Sequence, residues 1–215
     1  MVKSDIAEPI EPAEPDMDAI GRIVDTFNDH TSEAWSRYHE TSRGQLRMSF
    51  WKDHPEWKFL AQHYPPCKVL DYGCGTGHAD VWLAYHSYDV MGYDPNETNY
   101  QVAKYIGSIQ PKSIKDRLAF FNILTYRWNT SITWLCHVLE HIPRPEWANV
   151  FENIRDIGGK LLVSVPLGKA YYVPAHVNFW NNSRELTNDL VEYGLKVEWA
   201  DVFNNEEVIR AEANI

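Results

Sequence analysis

The segment VLDYGCGTG, residues 69–77, constrains this chain more than any other. An apolar run, CKVLDY (67–72), leads into Gly73, Gly75 and Gly77, and HADVWLAYHS (78–87) follows with a helical pattern. A strand that enters a helix through alternate glycines sets bare backbone and a helix N-terminus at the carboxyl edge of a sheet, where a ligand can lie against main-chain amides. A dinucleotide fingerprint needs a third glycine three residues after the second. Counted from Gly73 and Gly75 that position is His78, and counted from Gly75 and Gly77 it is Asp80. Asp71, read as lying inside the turn, would repel a diphosphate and suit a cation. A purely structural turn is the plainer alternative, and the density of glycines speaks against it.

Beyond this loop, short apolar runs alternate with helical patterns. YDVMGYD (88–94) reads as a strand that ends in an acid, residues 96–109 as a helix, and RLAFFNI (117–123) as a strand. ITWLCHVL (132–139) reads as a strand running into a loop, and PEWANVFENIRDI (145–157) as an amphipathic helix stopped by Gly158 and Gly159. KLLVSV (160–165) is a buried strand, and SRELTNDLVEYG (183–194) a helix with Ser183 as N-cap and Gly194 as stop. LKVEWADV and EEVIRAEANI close the chain as two strands. Strand–helix alternation of this kind predicts an α/β fold with a mostly parallel sheet.

Residues 1–16 carry Pro9, Pro12 and Pro15 among acids and read as a disordered tail. Residues 17–66 read as a helical cap, and residues 67–215 as the main domain. Trp35, Tyr38, Trp51 and Trp57 would pack cap to core or line an aromatic cage, and Arg43 and Arg47 would be surface charges or anion partners. The net charge is −10, and no Lys/Arg run stands out, which argues against duplex nucleic acid as a partner. No apolar run reaches the ~18–20 residues of a membrane span. Three scattered cysteines, Cys67, Cys74 and Cys136, fit reduced thiols and a cytoplasmic location.

The glycine loop closely resembles motif I of class I S-adenosylmethionine-dependent methyltransferases, and further segments match in order across about residues 67–212. VLEHI (138–142) and SVPLG (164–168) resemble the segments after strands four and five, and the C-terminal pair of strands resembles the closing hairpin of that family. The resemblance implies a Rossmann-like, seven-stranded, mostly parallel sheet with an antiparallel C-terminal strand, helices on both faces, and S-adenosyl-L-methionine as cofactor. It implies that the cofactor lies along Asp71, Gly73, Cys74, Gly75 and Gly77. Asp94, followed by Pro95, would hold the ribose hydroxyls, Asn122 and Ile123 would flank the adenine, and His137 would border the site. Asn122 stands where the family usually has an Asp, and Thr130 and Ser131 stand where an Asp usually opens strand four.

HVLEH (137–141) also reads as the inverted zinc-protease signature H-x-x-E-H, which needs an unbroken helix. Strand-like ITWLC before it and Pro143 and Pro145 after it argue against that. The same segment resembles the E-x-x-E-H of quinone-biosynthesis O-methyltransferases and small-RNA terminal 2′-O-methyltransferases. That resemblance implies a possible divalent metal held by Glu140, His141 and the later His176, with His137 replacing the first Glu. Imidazoles would shift the preference from magnesium toward softer metals. Two alternatives stand: the four residues act as acid/base and positioning groups without metal, or they support structure. For a hydroxyl acceptor His141 or His137 is the candidate base, whereas an amine or thiol needs little base help. The chain is therefore expected to methylate a small-molecule acceptor, O- rather than N-. A non-catalytic S-adenosylmethionine-binding scaffold and an RNA-end methyltransferase are the alternatives.

Overall fold

The computed structural model describes residues 55–124, 129–168, 175–203 and 208–214. The acidic tail, most of the cap, and Trp35, Tyr38, Arg43, Arg47 and Trp51 lie outside these residues. The chain enters with α1 (Pro55–His63), then β1 (Lys68–Tyr72), α2 (His78–Tyr85), β2 (Asp89–Tyr93), α3 (Glu97–Ser108) and a short α4 (Lys112–Lys115). It continues through β3 (Leu118–Phe121), β4 (Ile132–Cys136), a 3-10 turn (Arg144–Glu146), α5 (Trp147–Ile157) and β5 (Lys160–Pro166). It closes with α6 (Ser183–Glu192), β6 (Lys196–Phe203) and β7 (Val208–Asn214). The seven strands form one sheet ordered β3-β2-β1-β4-β5-β7-β6, and β7 runs antiparallel to both of its neighbours. No helix among the described residues is long and apolar enough to cross a membrane.

Both faces of the sheet are covered, as the near-continuous apolar strands require. Successive side chains alternate in face, so Val69, Trp134 and Leu162 join one core while Leu70, Leu135, Leu161 and Val163 join the other. The first core takes Trp57, Phe59 and Leu60 of α1 with Trp82 and Leu83 of α2. Trp57 is thus a core residue, packed against Trp82 at 5.9 Å between ring centroids. The second core takes Trp147, Val150, Phe151, Ile154 and Ile157, the apolar stripe of α5, together with Leu186 and Leu190 of α6.

Element ends differ from the sequence reading in three informative places. Helix α6 is capped by Asn182 rather than Ser183, because the Asn182 carboxamide accepts from the Glu185 amide at 3.0 Å and Ser183 becomes the first helical residue. Strand β4 stops at Cys136, where His137 adopts a left-handed φ of 57° and leaves the sheet. Asp71 lies within β1 rather than in the turn, paired in register with Gly92 and Trp134.

Candidate active site

The carboxyl ends of β1, β2 and β4 meet where β1 has strands on both sides, and the chemistry-bearing residues gather there. The glycine loop is stitched to β2: the Gly73 and Cys74 amides donate to the Tyr93 carbonyl at 2.7 and 2.9 Å. A side chain at Gly73 would strike Val138, and one at Gly77 would strike Ala103 and Phe120, so both glycines are fixed by close packing. Gly75 differs. Its φ is +55°, and a Cβ there would meet nothing within 4 Å. It presents bare, left-handed backbone to open space, as a close-lying ligand needs. Beyond Gly77, helix α2 starts with no side-chain cap.

Asp94 closes this slot from the β2 side. Its carboxylate accepts from the Gly75 amide at 2.9 Å, from the Asn96 amide at 2.9 Å and from the Asn99 side chain at 3.2 Å. Burial raises its pKa, and these three donors work against that rise. Pro95 follows, exposed. At the end of β3, Asn122 donates to the Glu97 carboxylate at 2.5 Å, and Ile123 is 62% exposed, an apolar face without cover. The Asn96, Asn99 and Glu97 partnerships were not anticipated, since α3 shows in sequence only its apolar stripe.

Beneath the loop lies a second carboxyl, Asp80 of α2, fully buried against Asp71 over Gly92. Burial pushes Asp71 up to about 7, helped by the Asp94 charge and opposed by the hydrogen bond with Asp80. Burial and the Asp71 charge push Asp80 well above the usual carboxylate range. Two neighbouring carboxyls away from water disfavour ionisation of both. Burial and the Asp80, Asp71 and Asp94 charges also raise the Cys74 thiol, so it stays protonated and its Sγ only contacts the Gly75 carbonyl at 3.7 Å. Because the folded-state pKa of the pair exceeds the unfolded value, its stabilising contribution is fully present below pH ~4 and is lost as pH rises toward about 7. Asp80→Asn is therefore expected to raise stability at pH 8 by about 1–3 kcal/mol and to flatten the profile between pH 4 and 7. Thermal unfolding at pH 5 and pH 8 measures this, and an equal loss at both pH values would refute the raised pKa of the pair.

On the β4 side, residues 137–142 form a tight turn rather than a helix, with the His141 amide bonded to the Val138 carbonyl. This removes the geometry that an inverted zinc-protease motif needs. The turn is tied to the irregular segment after residue 175. The Val177 and Asn178 amides donate to the Glu140 carbonyl at 2.7 and 3.2 Å, and the Asn178 side chain donates to the carbonyls of Leu139 and Ile142, both at 2.7 Å. Glu140 is fully buried. Its Oε1 meets His137 Nδ1 at 3.1 Å, while Oε2 has no protein partner. Burial works to lower the His137 pKa, but the hydrogen bond and charge of Glu140 prevail and hold it above the usual histidine value. His141 Nδ1 lies 3.3 Å from the Ala175 carbonyl, and its ring meets that of His176 edge-on at 4.7 Å. Burial lowers the His176 pKa. The structure thus brings His137, Glu140, His141 and His176 together, across 39 positions of sequence, through the Asn178 clasp that sequence reading missed.

Comparison with known proteins gives a consistent result. A family model described as a methyltransferase domain matches residues 35–200. The chain is 27% identical over 101 residues to a Haemophilus influenzae protein described as probable S-adenosyl-L-methionine-dependent methyltransferase TehB, a match covering 46% of this chain and 35% of that protein. The match thus spans about a third of that relative's length. The crystal structure of H. influenzae TehB superposes with a TM-score of 0.56 at 17% identity, covering 80% of this chain and 66% of that one. Glycopeptide N-methyltransferase MtfA complexed with S-adenosyl-L-methionine gives 0.63 at 12% identity, covering 74% and 86%. The [4+2]-cyclase SpnF gives 0.60 at 13%, covering 74% and 80%. At such identities the structural likenesses establish the fold.

Proposed function

Because this chain belongs to the methyltransferase-domain family, we propose that it binds S-adenosyl-L-methionine at the carboxyl edge of β1 and β2 and methylates a hydroxyl of a small-molecule acceptor. One observation carries the cofactor reading: Gly75 opens onto free space while the Asp94 carboxylate sits on its amide. The slot offers an open backbone face, a carboxylate for a diol, and anionic surroundings that suit a sulfonium and oppose a diphosphate. When bound, the cofactor supplies a methyl group activated by the adjacent positive sulfur.

The remaining work falls to the chain. Asp94 would offer the ribose hydroxyls the acceptor capacity its carboxylate keeps beside the Gly75, Asn96 and Asn99 donors. Asn122 and Ile123 flank the base. The histidine turn, with half-exposed Val177 beside His176, lines the acceptor side. With Nδ1–H of His141 given to the Ala175 carbonyl, its Nε2 lone pair would be left to take the proton of an acceptor hydroxyl. His137, held toward its protonated form by Glu140, is the poorer base. The net charge of −10 favours a small acceptor over RNA.

The test is turnover. Full-length protein with S-adenosyl-L-methionine and a panel of small hydroxyl compounds is expected to release S-adenosylhomocysteine in step with a methylated product. Binding without turnover on any acceptor would support a scaffold role, and salt-sensitive RNA binding with methylated RNA ends would support the RNA reading. Gly75→Ala is expected to weaken cofactor binding about tenfold, since the methyl enters the slot, at a folding cost of ~1–2 kcal/mol from the left-handed backbone. Calorimetry and thermal unfolding separate the two effects.

A further inference from the structure

Asp80 sits in the first turn of α2, 0% exposed, and neither of its carboxyl oxygens has a donor. It fits there because Gly92 has no side chain: a Cβ on Gly92 would lie 2.7 Å from Asp80 Oδ1. Gly92 pairs in register with Asp71, itself 3% exposed, so the two carboxyls converge beneath the glycine loop. The other titratable groups around Asp80 are Asp94 after β2, Cys74 in the loop and His78 in its own helix, and β3 adds the Phe120 ring. Asp94 already holds three donors, and His78 Nδ1 is bonded to the Thr76 hydroxyl. We propose that Asp80 is a positioning residue of the cofactor slot: its carboxyl, as the neutral acid, donates to the Asp71 carboxylate and holds that charge toward a cationic ligand.

A buried carboxylate left without a donor is costly, whereas a carboxylic acid brings its own O–H and needs only an acceptor. Asp71 is the neighbouring acceptor. Burial and the negative charges of Asp71 and Asp94 push Asp80 well above the usual carboxylate range. Burial and the Asp94 charge raise Asp71 as well, but the hydrogen bond with Asp80 works the other way and leaves it at about 7. Asp71 therefore ionises first. Above pH 7 the slot carries its charge, steadied by the neutral Asp80. Below pH 7 Asp71 takes up a proton, and the slot loses a negative charge that a cation would use.

The carboxyl contact stands on its own geometry, and only its consequence rests on the proposed cofactor. S-adenosyl-L-methionine and S-adenosylhomocysteine differ by a methyl group and the positive charge on sulfur. An anionic Asp71 favours the charged sulfonium over the neutral thioether. Asp80 thus biases the slot toward the methyl donor and away from its spent product.

Infrared difference spectra of the full-length protein at pH 7, wild type against Asp80→Asn, are expected to show a protonated carboxyl that the variant lacks. Calorimetry then compares S-adenosyl-L-methionine with S-adenosylhomocysteine on wild type, Asp80→Asn and Asp80→Val. Asp80→Asn keeps a donor for Asp71, and its affinity for the sulfonium should stay within about twofold of wild type. Asp80→Val has no donor, so Asp71 ionises at higher pH. At pH 7.5 its affinity for S-adenosyl-L-methionine should fall about tenfold and that for S-adenosylhomocysteine less than about threefold, with the gap closing by pH 9. The retained thioether binding certifies the fold of Asp80→Val, and the infrared arm does not depend on that variant. A missing carboxyl band, equal affinities in the Asn and Val variants, or equal losses for both ligands would each overturn the role of Asp80. A wild type that shows the band yet binds neither ligand would instead overturn the proposed cofactor.

Discussion

Asp94→Ala is expected to bind S-adenosyl-L-methionine about 10- to 150-fold more weakly than the wild type, a loss of ~1.5–3 kcal/mol. Two effects combine. The ribose hydroxyls lose a charged acceptor, and charge-assisted hydrogen bonds are roughly twice as strong as neutral ones. The Gly75 and Asn96 amides and the Asn99 side chain also lose their shared acceptor, so the loop that shapes the slot is no longer tied to β2 through this carboxylate. Asp94→Asn separates the two, since a carboxamide oxygen can still hold the Gly75 amide while offering the diol no charge. Its affinity should fall between those of wild type and alanine variant. Equal affinity in all three proteins, measured by calorimetry, would remove Asp94 from the cofactor site.

Arg210→Met is expected to destabilise the fold by about 3–5 kcal/mol, because it leaves the Glu56 carboxylate buried without its cation. Arg210 of β7 is fully buried, and Glu56 of α1 is 1% exposed. Nε and Nη2 of Arg210 reach Glu56 at 3.0 and 2.8 Å, and the guanidinium lies 4.4 Å from the rings of both Phe59 and Phe203. This pair fastens α1 to the antiparallel end of the sheet. Burial raises the Glu56 pKa, but the Arg210 hydrogen bond, the His137 charge and the Arg210 charge together outweigh it and the net shift is downward. The pair therefore contributes stability above the unfolded carboxyl value of ~4.5 and loses it as pH falls through the depressed folded value. The double variant Glu56→Leu/Arg210→Met should recover most of the loss, since no charge is left stranded. Chemical denaturation of the three proteins at pH 7 tests this cycle, and a double variant as unstable as the sum of the singles would show that the pair is not coupled.

The two predictions mark where sequence reading reached and where it stopped. Residues 67–166 were legible because their signals are local. Alternate glycines after an apolar run mark the loop, the acid at the end of YDVMGYD marks the facing carboxylate, and the spacing of Trp147, Val150, Phe151 and Ile154 marks α5. The antiparallel closing strands were legible from the family resemblance. Asp71 was misplaced by one structural step, since the turn begins only after Tyr72 and the strand register decides that. Asn182 took the cap from Ser183 because either residue type serves there and the backbone chose between neighbours. The Asp71–Asp80 contact, the Asn178 clasp and the Glu56–Arg210 pair were invisible for a common reason. Each joins residues from different elements, and in sequence each member is an ordinary polar residue.

Calorimetric titration of the full-length protein with S-adenosyl-L-methionine and, separately, with NAD tests the central claim most directly. The slot at Gly75 and Asp94 predicts one S-adenosyl-L-methionine bound per chain with a micromolar dissociation constant, about −8 kcal/mol, and no heat from NAD. A folded protein that is silent toward S-adenosyl-L-methionine, or that binds NAD more tightly, would contradict it.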